Sequence, residues 1–221
     1  MAINAPLESL TYTAAALERL AQFYSSQQQF AKAEPLLVRA LAIREKGVSG
    51  PEHLDTAATL GRLAQLYSSQ QQYAKAEPLL QEALAIYEKD RGPGDLGNAA
   101  YHQSLEEVYR DQGRYDRAEV ELERALTIIE KERGPEAVTG SRLRDLVRLY
   151  FSQGQRKKAE QLLDRILMDA ESSFGSDDVR ILPVLSSLAS EQYFDAKNSA
   201  VGVGLLEQAF SIAEKKLGPD R

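Results

Sequence analysis

The chain has 221 residues, 43% of them hydrophobic and 27% charged, with 33 acidic against 27 basic side chains and a net charge of −6. That apolar content is enough for a packed core, and the acidic balance argues against a nucleic-acid binder, whose affinity would come from surplus Lys and Arg. No cysteine is present, which excludes disulfides, zinc–thiolate sites and a Cys nucleophile. The opening "MAINAPLESL" has no basic stretch leading into an apolar run, and no segment approaches the roughly 20 apolar residues of a membrane span. The expectation is a cytoplasmic protein with no membrane insertion.

The chain repeats itself. "LAQFYSSQQQFAKAEPLLVRALAIREK" (Leu20 to Lys46) returns as "LAQLYSSQQQYAKAEPLLQEALAIYEK" (Leu63 to Lys89). Three landmarks keep one period of about 42 residues. The first is Tyr24, Tyr67, Tyr109 and Tyr150. The second is a small residue: Ala33, Ala76, Ala118, Ala159 and Gly202. The third is a breaker: Gly50-Pro51, Gly92-Pro93, Gly134-Pro135, Gly175-Ser176 and Gly218-Pro219. They divide one domain, residues 1–221, into five repeats at about 10–51, 52–93, 94–135, 136–176 and 177–219.

Each repeat reads as two helices. In the first helix, Leu17, Leu20, Ala21 and Tyr24, then Leu60, Leu63, Ala64 and Tyr67, form one apolar stripe at helical spacing. A polar turn follows, "SSQQQ" twice and then "RDQGR" and "FSQGQ", in which Gly113 and Gly154 suit a left-handed helix end. The second helix is predicted to start near Phe30 and Tyr73, with Pro35 and Pro78 tolerated early, and to stop at the Gly-Pro. The Ala positions let helix axes approach, and Leu and Tyr fill the space beside them. A pair this short cannot bury both its faces alone, so the pairs must stack as an all-α solenoid.

Later repeats depart from the pattern. Glu106 takes the slot of Ala21 and Ala64, where it must reach solvent or an Arg. His102 takes the slot of Leu17 and Leu60, and reads as a packing residue rather than a metal ligand. Gly202 and Gly204 each lower helix propensity by about 1 kcal/mol, so the last pair is expected to be less regular.

With its large–Leu–small–Tyr first helix and Ala-rich second helix, the sequence resembles the tetratricopeptide repeat family. The "AEPLL..ALAI.EK" and "GPEH" segments are similar to the longer-helix subtype of kinesin light chains and many bacterial proteins. The resemblance implies a right-handed solenoid whose first helices line a concave groove for a peptide or helix of a protein partner. Some members hold a terminal carboxylate there. The corresponding slots are Glu18, Gln22, Arg62, Ala100 and Ser104, and only Arg62 suits that use.

No phosphate loop, metal-ligand His pair or nucleophile elbow is present, so neither an enzyme nor a cofactor or metal site is expected. Surface is what remains. Residues opposite the stacking stripe include Ala15, Glu18, Gln22 and Ser25 in the first repeat. The second has Ala58, Gly61, Gln65 and Ser68. The third has Ala100, Gln103, Glu107 and Arg110. Arg144, Arg148, Phe151 and Tyr193 follow. Arg and aromatic side chains are enriched at binding hot spots. Arg144 and Arg148, four apart, are suited to a carboxylate of an acidic partner, unless Glu107, Asp111 and Asp145 already neutralise this cluster. A second reading is self-assembly, or membership of a longer array, through an apolar face of the last helix carrying Leu205, Leu206 and Phe210.

Overall fold

The computed structural model describes residues 5–47, 50–133, 146–147, 149–151, 153–176, 178–179, 182, 185–186 and 199–217. It divides into two compact blocks, Met1–Gly134 and Pro135–Arg221. Every regular element among the described residues is helical.

The N-terminal block holds three repeats: α1 (Ala5–Ser26) with α2 (Phe30–Lys46), α3 (Leu54–Ser69) with α4 (Tyr73–Arg91), and α5 (Leu96–Asp111) with α6 (Tyr115–Arg133). Each pair packs on itself, and α2 packs on α3 as α4 packs on α5. The crossings are lined by alanine. Ala21, Ala33, Ala40, Ala64, Ala76 and Ala83 are all fully buried, because a larger side chain would hold the helix axes apart. Helices α2 and α4 run from Phe30 and Tyr73 straight through Pro35 and Pro78.

One turn joins the helices of each of the first three repeats. The N–H of Gln29 donates to the Tyr24 carbonyl at 2.9 Å, Gln72 to Tyr67 at 2.8 Å, and Arg114 to Tyr109 at 2.8 Å. These bonds satisfy carbonyls that the ending helix leaves open, and they need a left-handed residue. Gly113 supplies it at φ 72°, but in the first two repeats Gln28 and Gln71 do so at φ 57° and 58°. The spacer between repeats is tied equally regularly: Thr56 Oγ1 donates to the Gly50 carbonyl, and Asn98 Nδ2 to that of Gly92.

The C-terminal block contains α7 (Arg156–Phe174) and α8 (Ser199–Leu217). Residues 149–151 are also helical, and Gly154 and Gly175 are left-handed at φ 69° and 89°. Leu185, Ala209 and Ile212 form one buried cluster in it with Leu167 and Leu182, and Leu146, Val147, Leu149, Tyr150 and Ala159 are buried as well. Gln208 Nε2 donates to Glu171 at 3.3 Å, tying α8 to α7. Helix α8 continues unbroken through Gly202 and Gly204. The turn that precedes it lies outside the described residues.

Candidate functional site

The first helices α3 and α5 lie side by side. Between them the chain exposes a strip with a floor of small residues. Ala58 and Gly61 are half-buried and Ala100 is exposed, while Gln65 and Glu107 stand exposed beside them and Gln103 is half-buried. The side chains of Gln65, Gln103 and Glu107 are engaged in no hydrogen bond or ion pair among the described residues. Gly61 keeps the floor low for a definite reason. A Cβ there would sit 3.2 Å from the Tyr101 ring, so a side chain would have to push against it.

The two candidate cations of this block are already paired. Arg62 donates to Glu18 at 3.0 Å, and Arg110 to Glu106 at 2.9 Å with Asp111 3.8 Å away. Glu106, expected to need an Arg or solvent, is buried and has that Arg one turn along its own helix. Glu18 does not line a groove as its position opposite the stripe suggested. It is 6% exposed and sits inside the joint between the first two repeats. Arg44 of α2 and Arg62 and Thr59 of α3 all donate to it, and Arg44 also donates to Asp55 at 2.9 Å. These three donors converge on the Glu18 carboxylate and hold it in the joint, whereas the slot of Arg44 is held by Tyr87 one repeat later.

The next joint uses different chemistry in the same place. Tyr87 and Tyr101 pack with ring centroids 5.5 Å apart. The Tyr87 ring occupies the space where a Cβ on Gly97 would lie, only 2.1 Å from it. One joint therefore carries a buried ion network and the next a tyrosine pair seated on glycine.

Within the third repeat, His102 and Glu121 meet at 2.6 Å in the slots that Leu60 and Leu79 fill with apolar contact one repeat earlier. His102 is thus a buried packing residue with a carboxylate partner, as its position implied. His102 also lines a cleft of about 490 Å³, together with Glu88 of α4, Pro93 of the spacer and Val120, Arg124 and Ile128 of α6. Among the described residues no three acidic or His side chains gather as a metal site, and no helix is long and apolar enough to cross a membrane.

A further repeated contact was not anticipated from the sequence. Tyr67 donates to Glu34 at 2.9 Å and Tyr109 to Glu77 at 3.2 Å, each reaching from a first helix to the second helix before it. A cation lies over each tyrosine ring in turn: Lys32 over Tyr24, Lys75 over Tyr67, Arg117 over Tyr109 and Lys158 over Tyr150. The clue was available in the spacing, because these cations recur with the same period as the tyrosines.

Phe151 is helical and half-buried in the C-terminal block. Arg144, Arg148 and Tyr193 lie outside the described residues. Leu205 belongs to α8, though its side chain is outside the described ones, and Leu206 and Phe210 on the same helix are exposed.

A tetratricopeptide repeat family model matches residues 12–89 and 98–172. No curated protein matches the chain. Among solved structures, it is similar to a candidate kinesin light chain from Podosopora anserina with nearly identical TPR-like repeats. The two are 25% identical, with a TM-score of 0.73 over 97% of this chain and 98% of that one. BtubC (BKLC) from P. vanneervenii is 18% identical, with a TM-score of 0.69 over 100% of this chain and 94% of that one. The Rap conjugation gene regulator of plasmid pLS20, solved in complex with the Phr* peptide, is 16% identical, with a TM-score of 0.55 over 88% of this chain and 52% of that one.

Proposed function

The chain belongs to the tetratricopeptide repeat family, and we propose that it is a non-catalytic scaffold that holds an extended peptide segment of a protein partner along its first helices. The observation that carries this reading is the α3–α5 strip: a floor of Ala58, Gly61 and Ala100 flanked by the unengaged side chains of Gln65, Gln103 and Glu107. Small residues let a peptide backbone come close. Side-chain amides donate and accept together, which suits both the N–H and C=O groups of an extended strand.

The cations contribute less here than their residue type suggests. Arg62 and Arg110 are each neutralised by a buried carboxylate, so recognition in this block rests on amides and shape. In the C-terminal block, Arg144, Arg148, Phe151 and Tyr193 are a separate set of proposed partner-binding residues that would favour acidic side chains. The Rap regulator, similar to this chain in fold alone, was solved with a peptide bound.

A photo-reactive side chain placed at position 65 tests the location. Peptides selected from a random displayed library should crosslink there, and not when the reactive group replaces the exposed Arg39 of α2. Crosslinking from Arg39 alone would overturn the assignment.

A further inference from the structure

First helices carry two apolar slots, and in α3 and α5, each of which follows another repeat, both are buried. Leu63 and Leu66 fill the slots in α3 and are 4% and 3% exposed, and Leu105 and Val108 fill them in α5 at 2% and 1%. In α1 the same slots hold Leu20 and Phe23, which are 43% and 56% exposed. The second helices show the converse. Leu37, Leu80 and Leu122 are buried, while Leu206 in the matching slot of α8 is 44% exposed and Phe210 beside it 68% exposed.

The internal joints show what covers such faces. A second helix lies on the first helix of the next repeat, α2 on α3 and α4 on α5. From these faces we propose that α1 of one copy of this chain stacks on α8 of another, so that the molecules associate head to tail. The slots at that joint are compatible in size and charge. At the α4–α5 joint the large Tyr87 sits over the small Gly97. At the α8–α1 joint the corresponding slots hold Ala213 and Tyr12, so small and large are exchanged, and Tyr12 is 75% exposed and ready to fill the space. Arg44 and Asp55, which need each other at the first joint, have no counterparts here. The slot of Glu34 and Glu77 becomes Val203, itself 43% exposed. Tyr12, Leu20 and Phe23 of α1 would there meet Val203, Leu206, Phe210 and Ala213 of α8, an apolar contact of the kind that forms the centre of a stable interface.

Such a contact is heterologous, since two different faces meet. That gives it a signature that a face-to-itself dimer lacks. It does not rest on the peptide-binding reading, which uses α3 and α5.

The test is sedimentation of the whole chain, of Phe23→Glu, of Phe210→Glu and of their equimolar mixture, with circular dichroism confirming equal helicity. Both side chains are exposed, so neither change should disturb the fold, and Phe23→Ser and Phe210→Ser stand in if one does. The parent is expected to gain apparent mass with concentration, and each variant alone to stay monomeric. The mixture should form a one-to-one dimer and grow no further, because each variant retains the face the other lacks. A parent that stays monomeric overturns the proposal, as the faces would then serve another partner or another repeat. So does a variant that assembles like the parent, or a mixture that stays monomeric.

Discussion

Arg62 reaches across the first joint to Glu18, their side chains meeting at 3.0 Å, so a cation on the proposed binding face is anchored by a buried anion of the preceding repeat. Glu18 also serves Arg44, and both of those side chains are only 8% exposed. Removing one partner of a buried pair leaves the other charge without compensation. Glu18→Ala is therefore expected to cost about 3 kcal/mol, against under about 1 kcal/mol for Arg62→Ala, whose side chain is 45% exposed and whose loss leaves Glu18 paired with Arg44. Urea unfolding of the two variants measures the difference. Equal costs would mean that Glu18 is not held by Arg44.

The left-handed glutamines give a prediction of opposite sign. Gln28 and Gln71 occupy the slot where the third and fourth repeats place Gly113 and Gly154. A non-glycine residue is strained there. Gln28→Gly and Gln71→Gly should each stabilise the chain by about 0.5–1 kcal/mol, and Gly113→Ala should destabilise it by about 1 kcal/mol. Thermal unfolding checks all three.

Gly97 tests the tyrosine joint. Its Cβ would lie 2.1 Å from the Tyr87 ring, whereas the nearest atom to a Cβ on Gly94 is the flexible end of Lys131 at 3.7 Å. Gly97→Ala should cost about 1–3 kcal/mol by overpacking, and Gly94→Ala far less. Combining Gly97→Ala with Tyr87→Ala should recover part of the loss, giving a non-additive cycle. Strict additivity would show that the two positions do not compete for space.

Alkaline pH probes the buried tyrosines. Burial pushes the Tyr101 hydroxyl above its usual 10.0, with Tyr87 adding to the rise and Arg62 opposing it. Burial likewise raises Tyr109, where the Gln81 hydrogen bond opposes the rise and Glu77 adds to it. The folded chain thus keeps these protons at a pH where the unfolded chain has lost them. Their contribution is whole below about pH 10 and is lost as pH climbs through the higher folded values. The unfolding free energy should fall as pH rises above about 10, and Tyr109→Phe should flatten that fall.

The repeat period, the helix pairs, their starts at Phe30 and Tyr73 and the alanine crossings could all be read from the sequence, because each landmark recurs at one spacing. What could not be read was which departures from the pattern answer one another. Glu18 looked like a surface residue because its partner Arg44 lies 26 residues away on another helix. His102 and Glu121 look like two polar accidents until they are seen to replace Leu60 and Leu79 together. The turn glutamines were hidden for a different reason. Left-handed geometry is plain at a glycine, but Gln28 and Gln71 adopt it only because the helix-ending hydrogen bonds to Tyr24 and Tyr67 demand it.

The most direct test of the binding face is calorimetric titration of a library-selected peptide into the parent chain, into Gln65→Ala/Gln103→Ala, and into Arg39→Ala. If the first helices hold the peptide through these amides, the double variant should bind about tenfold or more weakly, a loss of about 1.4 kcal/mol, while Arg39→Ala binds like the parent. Undiminished affinity in the double variant would contradict the α3–α5 strip as the peptide site.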